Sequence, residues 1–291
     1  MTDPISIAVI GGSGLYGMEG LTDITEQVVE TPFGAPSDAI VTGKLDGVPV
    51  AFLARHGRSH SLIPGEIPFR ANIYALKTLG VRYLISVSAV GSLKEDIAPL
   101  DLVLPDQFID RTQQRKGTFF GEGAVAHVSM ADPVCAALSG VLASGFAAAG
   151  LTGVRLHRGG SYVCIEGPAF STRAESGWYR SMGASVIGMT NVPEAKLARE
   201  AEMAYATLAL VTDFDCWHPH QACVTAELAI ANLRTNAERA QQVLRFAVAS
   251  LASQPPESAA HDALRAALVT PPSAMAQATR TRLAALIARY C

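Results

Sequence analysis

The sequence predicts an α/β fold, one large domain in which helices cover both faces of a central β-sheet. Apolar, β-branched runs alternate along the chain with amphipathic helical stretches, the order expected when strands and helices form stacked layers. Several strand-like runs, such as Tyr83-Leu-Ile-Ser-Val and Tyr205-Ala-Thr-Leu-Ala-Leu-Val, are apolar almost throughout. Strands read that way when both of their faces are buried. The residues able to do chemistry gather at the ends of these runs, where open α/β sheets bind ligands.

The first strand is expected at 5–10 and runs into Gly11-Gly12-Ser13-Gly14. A second, at 48–54, delivers Arg55-His56-Gly57, and a third, at 81–90, follows a helix over 69–79 and ends in Ser88-Ala89-Val90-Gly91. Strands at 101–105, 161–166, 185–189 and 205–212 alternate with helices at 131–148, 171–182, 193–203 and 225–252. The strand at 185–189 leads to Met189-Thr190, and the one at 205–212 to Asp213-Phe214-Asp215. Five loaded strand ends imply one composite pocket. A linker-like break occurs at Gln254-Pro-Pro-Glu257, so residues 1–252 are read as the domain and 253–291 as a helical appendage packing on it. That appendage is expected to hold helical segments near 259–269 and 274–290.

Composition narrows the functional classes. The 291 residues are 49% hydrophobic and 17% charged with a net charge of −3, too apolar for a disordered chain and without the basic field that holds nucleic acid. No apolar run reaches the length of a membrane span, and the first residues do not resemble a secretory signal, so a cytoplasmic protein is expected. The five cysteines are an odd number in a long chain and are read as reduced thiols.

Gly12, Gly14 and Gly17 match the dinucleotide-binding fingerprint letter for letter. An NAD(P)-dependent oxidoreductase is therefore the rival from another class. It requires an unbroken helix after the glycines, yet Gly17, Gly20 and the turn-like Thr22-Asp23 interrupt that segment. The alternative is a tight turn whose backbone amides and Ser13 hydroxyl approach a single phosphate. Cys216, His218, His220 and Cys223 invite a zinc site, but four ligands within eight residues would strain a tetrahedron, so no metal is expected.

Six segments in order carry a resemblance: Thr31-Pro-Phe-Gly, Ala54-Arg-His-Gly-Arg, Ala71-Asn-Ile, Asp106-Gln-Phe-Ile-Asp-Arg-Thr112, Ile165-Glu-Gly-Pro and Thr212-Asp-Phe-Asp-Cys-Trp217. From about residue 5 to 230 the chain resembles the 5′-methylthioadenosine phosphorylases of the trimeric purine nucleoside phosphorylase family. The last sixty residues match only loosely. The resemblance implies a mixed, partly barrel-like sheet and a homotrimer with pockets near subunit interfaces. It also implies reversible phosphorolysis of methylthioadenosine to adenine and 5-methylthioribose 1-phosphate, a salvage reaction with inorganic phosphate as co-substrate and no cofactor.

By the same resemblance Ser13, Arg55, His56, Ser88, the Ala89 amide and Thr190 bind phosphate. The Arg55 fork, hydroxyls and amides would make an anion receptor with nothing in it to repel a dianion. Phe170 is expected to stack on the base, Ser171 to line its edge, Met189 to touch the ribose, and His127 to reach the neighbouring subunit's site. Ala226 stands beside the sugar's 5′ substituent, where some relatives carry valine. Glu166, Arg58 and His60 are assigned supporting positions.

Asp213 and Asp215 are the expected catalytic pair, two residues apart at a strand mouth and pointing to one side. Adenine offers an acceptor at N7 and a donor at its 6-amino group, which suits one protonated acid and one carboxylate; the resemblance implies that Asp213 meets N7 and Asp215 the amino group. A 6-oxopurine would leave an ionised acid facing a lone pair, so the two acids argue against methylthioinosine and general purine nucleoside phosphorolysis, the alternatives within the enzyme class. A nucleoside-binding protein without turnover is a further alternative.

Overall fold

The computed structural model describes residues 5–220 and 225–291, apart from the side chains of Ser13 and Tyr16. Strand β1 (Ile7–Gly11) shows why the central runs are apolar on both sides. Its Ile7 and Val9 enter one hydrophobic cluster, Ala8 and Ile10 another, so successive residues are buried by opposite layers. A 3₁₀ turn over Ser13–Gly17 follows, and then β2 (Leu21–Gln27), β3 (Ile40–Leu45) and β4 (Val48–Ala54). The chain returns in antiparallel fashion through β2, β3 and β4, and β4 pairs parallel with β1. No α-helix follows β1 before the next strand, so the βαβ unit that a dinucleotide fingerprint requires is missing here.

Helix α1 (Phe69–Thr78) leads into β5 (Tyr83–Ser92), and β6 (Leu102–Leu104), β7 (Gln107–Arg111) and α2 (Ala136–Ala149) come next. They are followed by β8 (Leu156–Arg158), β9 (Ser161–Ile165), α3 (Arg173–Ser181), β10 (Val186–Gly188), α4 (Asn191–Glu200) and β11 (Ala204–Asp213). Among the described residues eleven strands form one mixed sheet that divides at β5. One arm runs from β5 through β10 and β9 to β7, and the other through β11 and β6 to β8.

Helices α1 and α4 cover one face of the sheet. Helix α2 and the long α5 (Ala226–Ser253) cover the other. Beyond α5 the segment expected to be helical at 259–269 forms a 3₁₀ turn only over Ala259–Asp262, while α6 occupies Gln277–Ile287. Leu264, Met275, Leu283 and Leu286 join the same hydrophobic cluster as Ile73 and Leu76 of α1. Buried Glu202 fastens this region by accepting from Leu264 N at 3.1 Å and pairing with Arg289 at 3.2 Å.

The strands missing from the sequence expectation are β2, β3, β7 and β8. Strand β2 is largely exposed and polar, as suits the free edge of a sheet. The helix expected from 131 begins only at Ala136, after Cys135, whose sulfur caps Leu138 N. Among the described residues no helix is long and apolar enough to cross a membrane.

Candidate active site

Four adjacent parallel strands deliver the site. Gly11 of β1 lies beside Ala54 of β4, Ile10 beside Ser86 of β5, and Ala89 of β5 beside Leu210 of β11. Their carboxyl ends therefore open on one edge of the sheet, as in other open α/β folds that bind ligands there. Strand β5 is buried at every residue but Ala89, which faces the opening.

At the end of β4, Arg55 N donates to Gly11 O at 2.9 Å, which joins the two strand ends. The guanidinium expected to face the anion as a fork is instead turned inward. Nε and Nη2 grip the two oxygens of Glu194 at 2.7 and 3.0 Å, and the side chains are only 3% and 0% exposed. Nη1 donates to Val87 O, and Nη2 also lies within reach of Ser86 Oγ and Ile10 O. The physical reason is burial: a guanidinium removed from water needs a counter-charge and acceptors for its donors. Burial opposes the Arg55 charge, but Glu194 more than restores it and holds the pKa above its ordinary value.

His56 Nδ1 lies 2.8 Å from Leu62 O. A carbonyl only accepts, so Nδ1 carries the proton, and neutral His56 presents Nε2 as an acceptor. Burial first, then the charges of Arg55, His60 and Arg115, push its pKa down to about 4. His60 stacks on this ring at 4.5 Å, and Arg58 pairs with Glu26 and Asp38 at the surface.

Ser88 of β5 and Thr190, which follows β10 and precedes α4, meet with their oxygens 3.2 Å apart. A third hydroxyl, absent from the sequence expectation, completes the group: Tyr162 Oη lies 3.1 Å from Ser88 Oγ. The glycine turn flanks this region, and Gln241 of α5 donates to Gly14 O at 2.8 Å. The Ser13 side chain lies outside the described residues.

At the acid end, β11 stops at Asp213. Asp213 accepts from Thr212 Oγ1 at 2.7 Å and from the Asp215 amide at 2.7 Å. The two acids thus meet through a tight turn, with Asp215 at φ +53°, and not as same-side neighbours on a continuing strand. Gly91 accommodates the pair, since a Cβ there would stand 2.8 Å from Asp213 Oδ1. Burial pushes Asp213 up to about 6 against the pull of the Thr212 and Asp215 hydrogen bonds. Burial likewise raises Asp215, opposed by Ser176, the Cys216 amide and Ser171. Asn232 and Asn236 of α5 donate to the carbonyls of Thr212 and Val211, securing the end of β11.

Arg115, also unexpected, links the loops between the two ends. It donates to Glu166 O and Met189 O at 2.6 Å each and to Val192 O at 2.9 Å, while Nε lies 3.5 Å from the Glu166 carboxylate. Met189 folds over Gly167, where a Cβ would approach its sulfur to 2.6 Å. Phe170 is 44% exposed beside Ser171. Cys216 Sγ donates to Ser171 O at 3.3 Å, tying this loop to the acid turn.

Two expected residues lie elsewhere in the chain's own contacts. His127 is exposed, and its amide bonds Ala267 O. Ala226 is the exposed first residue of α5. Of the cysteine–histidine cluster, Cys223 lies outside the described residues, while His218 packs on Phe214 at 4.7 Å. Among the described residues no group of three or more potential ligands is arranged to hold a metal. Glu194 had one local signal, an acid followed by the apolar Ala195, Leu197 and Ala198 in a buried helix. Tyr162 reads in sequence as an ordinary core aromatic.

A sequence model of the phosphorylase superfamily matches residues 6–249. The S-methyl-5′-thioadenosine phosphorylase of Thermosynechococcus vestitus is 61% identical over 284 residues, 98% of each chain. That of Geobacter sulfurreducens is 56% identical, again over 98% of each chain. Among solved structures, a methylthioadenosine phosphorylase from an antarctic soil metagenomic library superposes with a TM-score of 0.95 at 62% identity, covering 98% of this chain and 99% of that one. The Schistosoma mansoni methylthioadenosine phosphorylase in complex with adenine gives a TM-score of 0.82 at 36% identity, with 86% and 93% covered.

Proposed function

Because this chain belongs to the methylthioadenosine phosphorylases of the phosphorylase superfamily, we propose that its strand ends divide one reaction between an anion end and a base end. The reaction is phosphorolysis of S-methyl-5′-thioadenosine. The C1′–N9 bond breaks, a phosphate oxygen bonds C1′, and adenine leaves with a proton. The products are adenine and 5-methylthioribose 1-phosphate.

Phosphate lies against the glycine turn, the Ser88 and Thr190 hydroxyls and the Ala89 amide. The Arg55–Glu194 pair is already neutralised, so most of the attraction comes from neutral donors, and Arg55 chiefly holds strand ends in place. Neutral His56 accepts a hydrogen bond at Nε2 from the P–OH group of the phosphate dianion. As C1′ becomes cationic, the bound phosphate stabilises it and then attacks.

Asp213 is the general acid at N7, and Asp215 accepts from the 6-amino group. Phe170 stacks on the base, Ser171 lines its edge, and Met189 contacts the ribose. We also propose a cytoplasmic homotrimer in which His127 completes a neighbour's pocket and Ala226 lies near the 5′ substituent. The chemistry draws on no metal or organic cofactor.

The observation that carries this assignment is the buried Asp213, raised to about 6 with no basic side chain bonded to it. A carboxyl in that state can carry a proton near neutral pH. The test is to incubate the protein with methylthioadenosine and follow adenine. Release that requires phosphate, with methylthioribose 1-phosphate as co-product, is expected, and equal release without phosphate would mean hydrolysis instead. A 6-oxo analogue should turn over far more slowly, and equal rates would remove Asp215 from base recognition.

A further inference from the structure

Tyr162 lies in β9, and its ring packs edge-on against Phe108 at 5.7 Å. Nothing in a hydrophobic cluster requires a hydroxyl there, and a buried phenol without a partner would be costly. The surrounding backbone nevertheless makes room for that atom: at Gly188 of β10 a Cβ would lie 2.0 Å from Tyr162 Oη. Gly188 is the last residue of β10, so the strand ends without a side chain where the phenol oxygen needs space. The oxygen ends 3.1 Å from Ser88 Oγ, which is itself 3.2 Å from Thr190 Oγ1.

We propose that Tyr162 is a positioning residue for phosphate, donating to Ser88 from behind so that the Ser88 hydroxyl proton is directed at the bound anion. This rests on the assignment of Ser88 and Thr190 to the phosphate site. Each of the three hydroxyls has one proton to give. A phenol is a stronger donor and weaker acceptor than an alkyl alcohol, so its proton goes to Ser88 and Ser88 does not donate back. Without it, Ser88 can turn its proton onto Ala89 O, 3.3 Å away, or onto Thr190. Either choice leaves an oxygen lone pair facing the anion. The chain of hydroxyls also polarises in one direction, strengthening the last donor. Burial raises the Tyr162 pKa, which keeps the phenol protonated.

The experiment is steady-state kinetics on Tyr162→Phe, Ser88→Ala and the double variant, varying phosphate and methylthioadenosine separately. Tyr162→Phe should raise KM for phosphate about five- to tenfold, the scale of one neutral hydrogen bond, with KM for the nucleoside within about twofold. In the Ser88→Ala background the further change should vanish, because the phenol acts through Ser88. Stabilisation of Tyr162→Phe by added phosphate in thermal melts should weaken in parallel, which reads anion binding without turnover. If Ser88→Ala raises KM for phosphate and Tyr162→Phe does not, this role for Tyr162 is wrong and the phosphate site stands. A rise in both KM values together would make Tyr162 merely structural and also overturn it. If Ser88→Ala leaves phosphate binding unchanged, the site assignment fails and takes the proposal with it.

Discussion

The anion end and the base end of this site handle buried charge in opposite ways. Beside the glycine turn, the buried Arg55 cation is paired with Glu194, and the neighbouring histidine is driven neutral. Ten or so Å along β5, by the rise of a strand, Asp213 is buried with only hydroxyl and amide donors against it. The difference follows from what each ligand brings. Phosphate carries its own charge, so the protein can meet it with fixed neutral donors and keep its ion pair as scaffold. Adenine arrives neutral and leaves needing a proton, so the protein must hold a group whose charge is easily changed. A compensated arginine and an uncompensated aspartate are two uses of the same low-dielectric interior.

The largest effect should come from deleting the uncompensated acid. Asp213→Ala is expected to lower kcat by about 10²–10⁴-fold, the range for loss of a positioned general acid, with phosphate binding little changed. A near-normal kcat would place proton delivery elsewhere and remove the contrast between the two ends.

Breaking the compensated pair should act on the fold before it acts on chemistry. Glu194→Gln leaves Arg55 buried without its counter-charge, and unfolding measurements should show a loss of about 3–5 kcal/mol. Replacing both partners, as Arg55→Met with Glu194→Leu, should recover most of that stability because the stranded charge is gone. If the double replacement is as unstable as the single one, the guanidinium's bonds to Val87 O, Ile10 O and Ser86 matter more than the ion pair.

The two ends also differed in how far the sequence revealed them. β1, β4, β5 and β11 are legible because burial on both faces makes them largely apolar, while β2 and β7 are polar edges whose pairing is decided by distant partners. Asp213, Ser88 and Thr190 stand out as polar residues where apolar runs stop. Glu194 is 139 residues from Arg55, and the apolar stretch after it marks a buried acid without naming its partner. Arg115 and Tyr162 are equally silent, since one acts through backbone carbonyls and the other sits inside a strand. The inward turn of the Arg55 fork follows from Glu194. Likewise the left-handed turn at Asp215, which joins the acids, is a conformation that Asp adopts more readily than most residues but that strand alternation does not foretell.

A smaller effect should appear in stability. Asp213 is raised from 3.8 to about 6, so its contribution to folding is fully present below about 3.8 and is lost as pH rises through about 6. A shift of that size corresponds to on the order of 2–3 kcal/mol carried as a penalty above pH 7. Asp213→Asn keeps the shape without the charge and should be the more stable protein in urea at pH 7.5. The advantage should shrink toward pH 4, and an advantage equal at both would mean packing, not ionisation, is responsible.

The smallest effect tests how finely the base end is tuned. The acid form of Asp213 is the one that delivers a proton, so kcat/KM for the nucleoside should fall as pH rises through about 6. Thr212 holds that value down by donating to Asp213 Oδ2, yet its single proton is shared with Val90 O at 3.2 Å. Removing it in Thr212→Val should therefore move the falling limb upward by about one pH unit or less. Phosphate titrates in the same region, but equally for both proteins, so the difference between the two profiles reads the aspartate alone. A limb that stays in place would mean the hydroxyl proton belongs to Val90 O. Burial would then be opposed by the Asp215 amide alone, and the acid turn itself would be the device that sets the proton's availability.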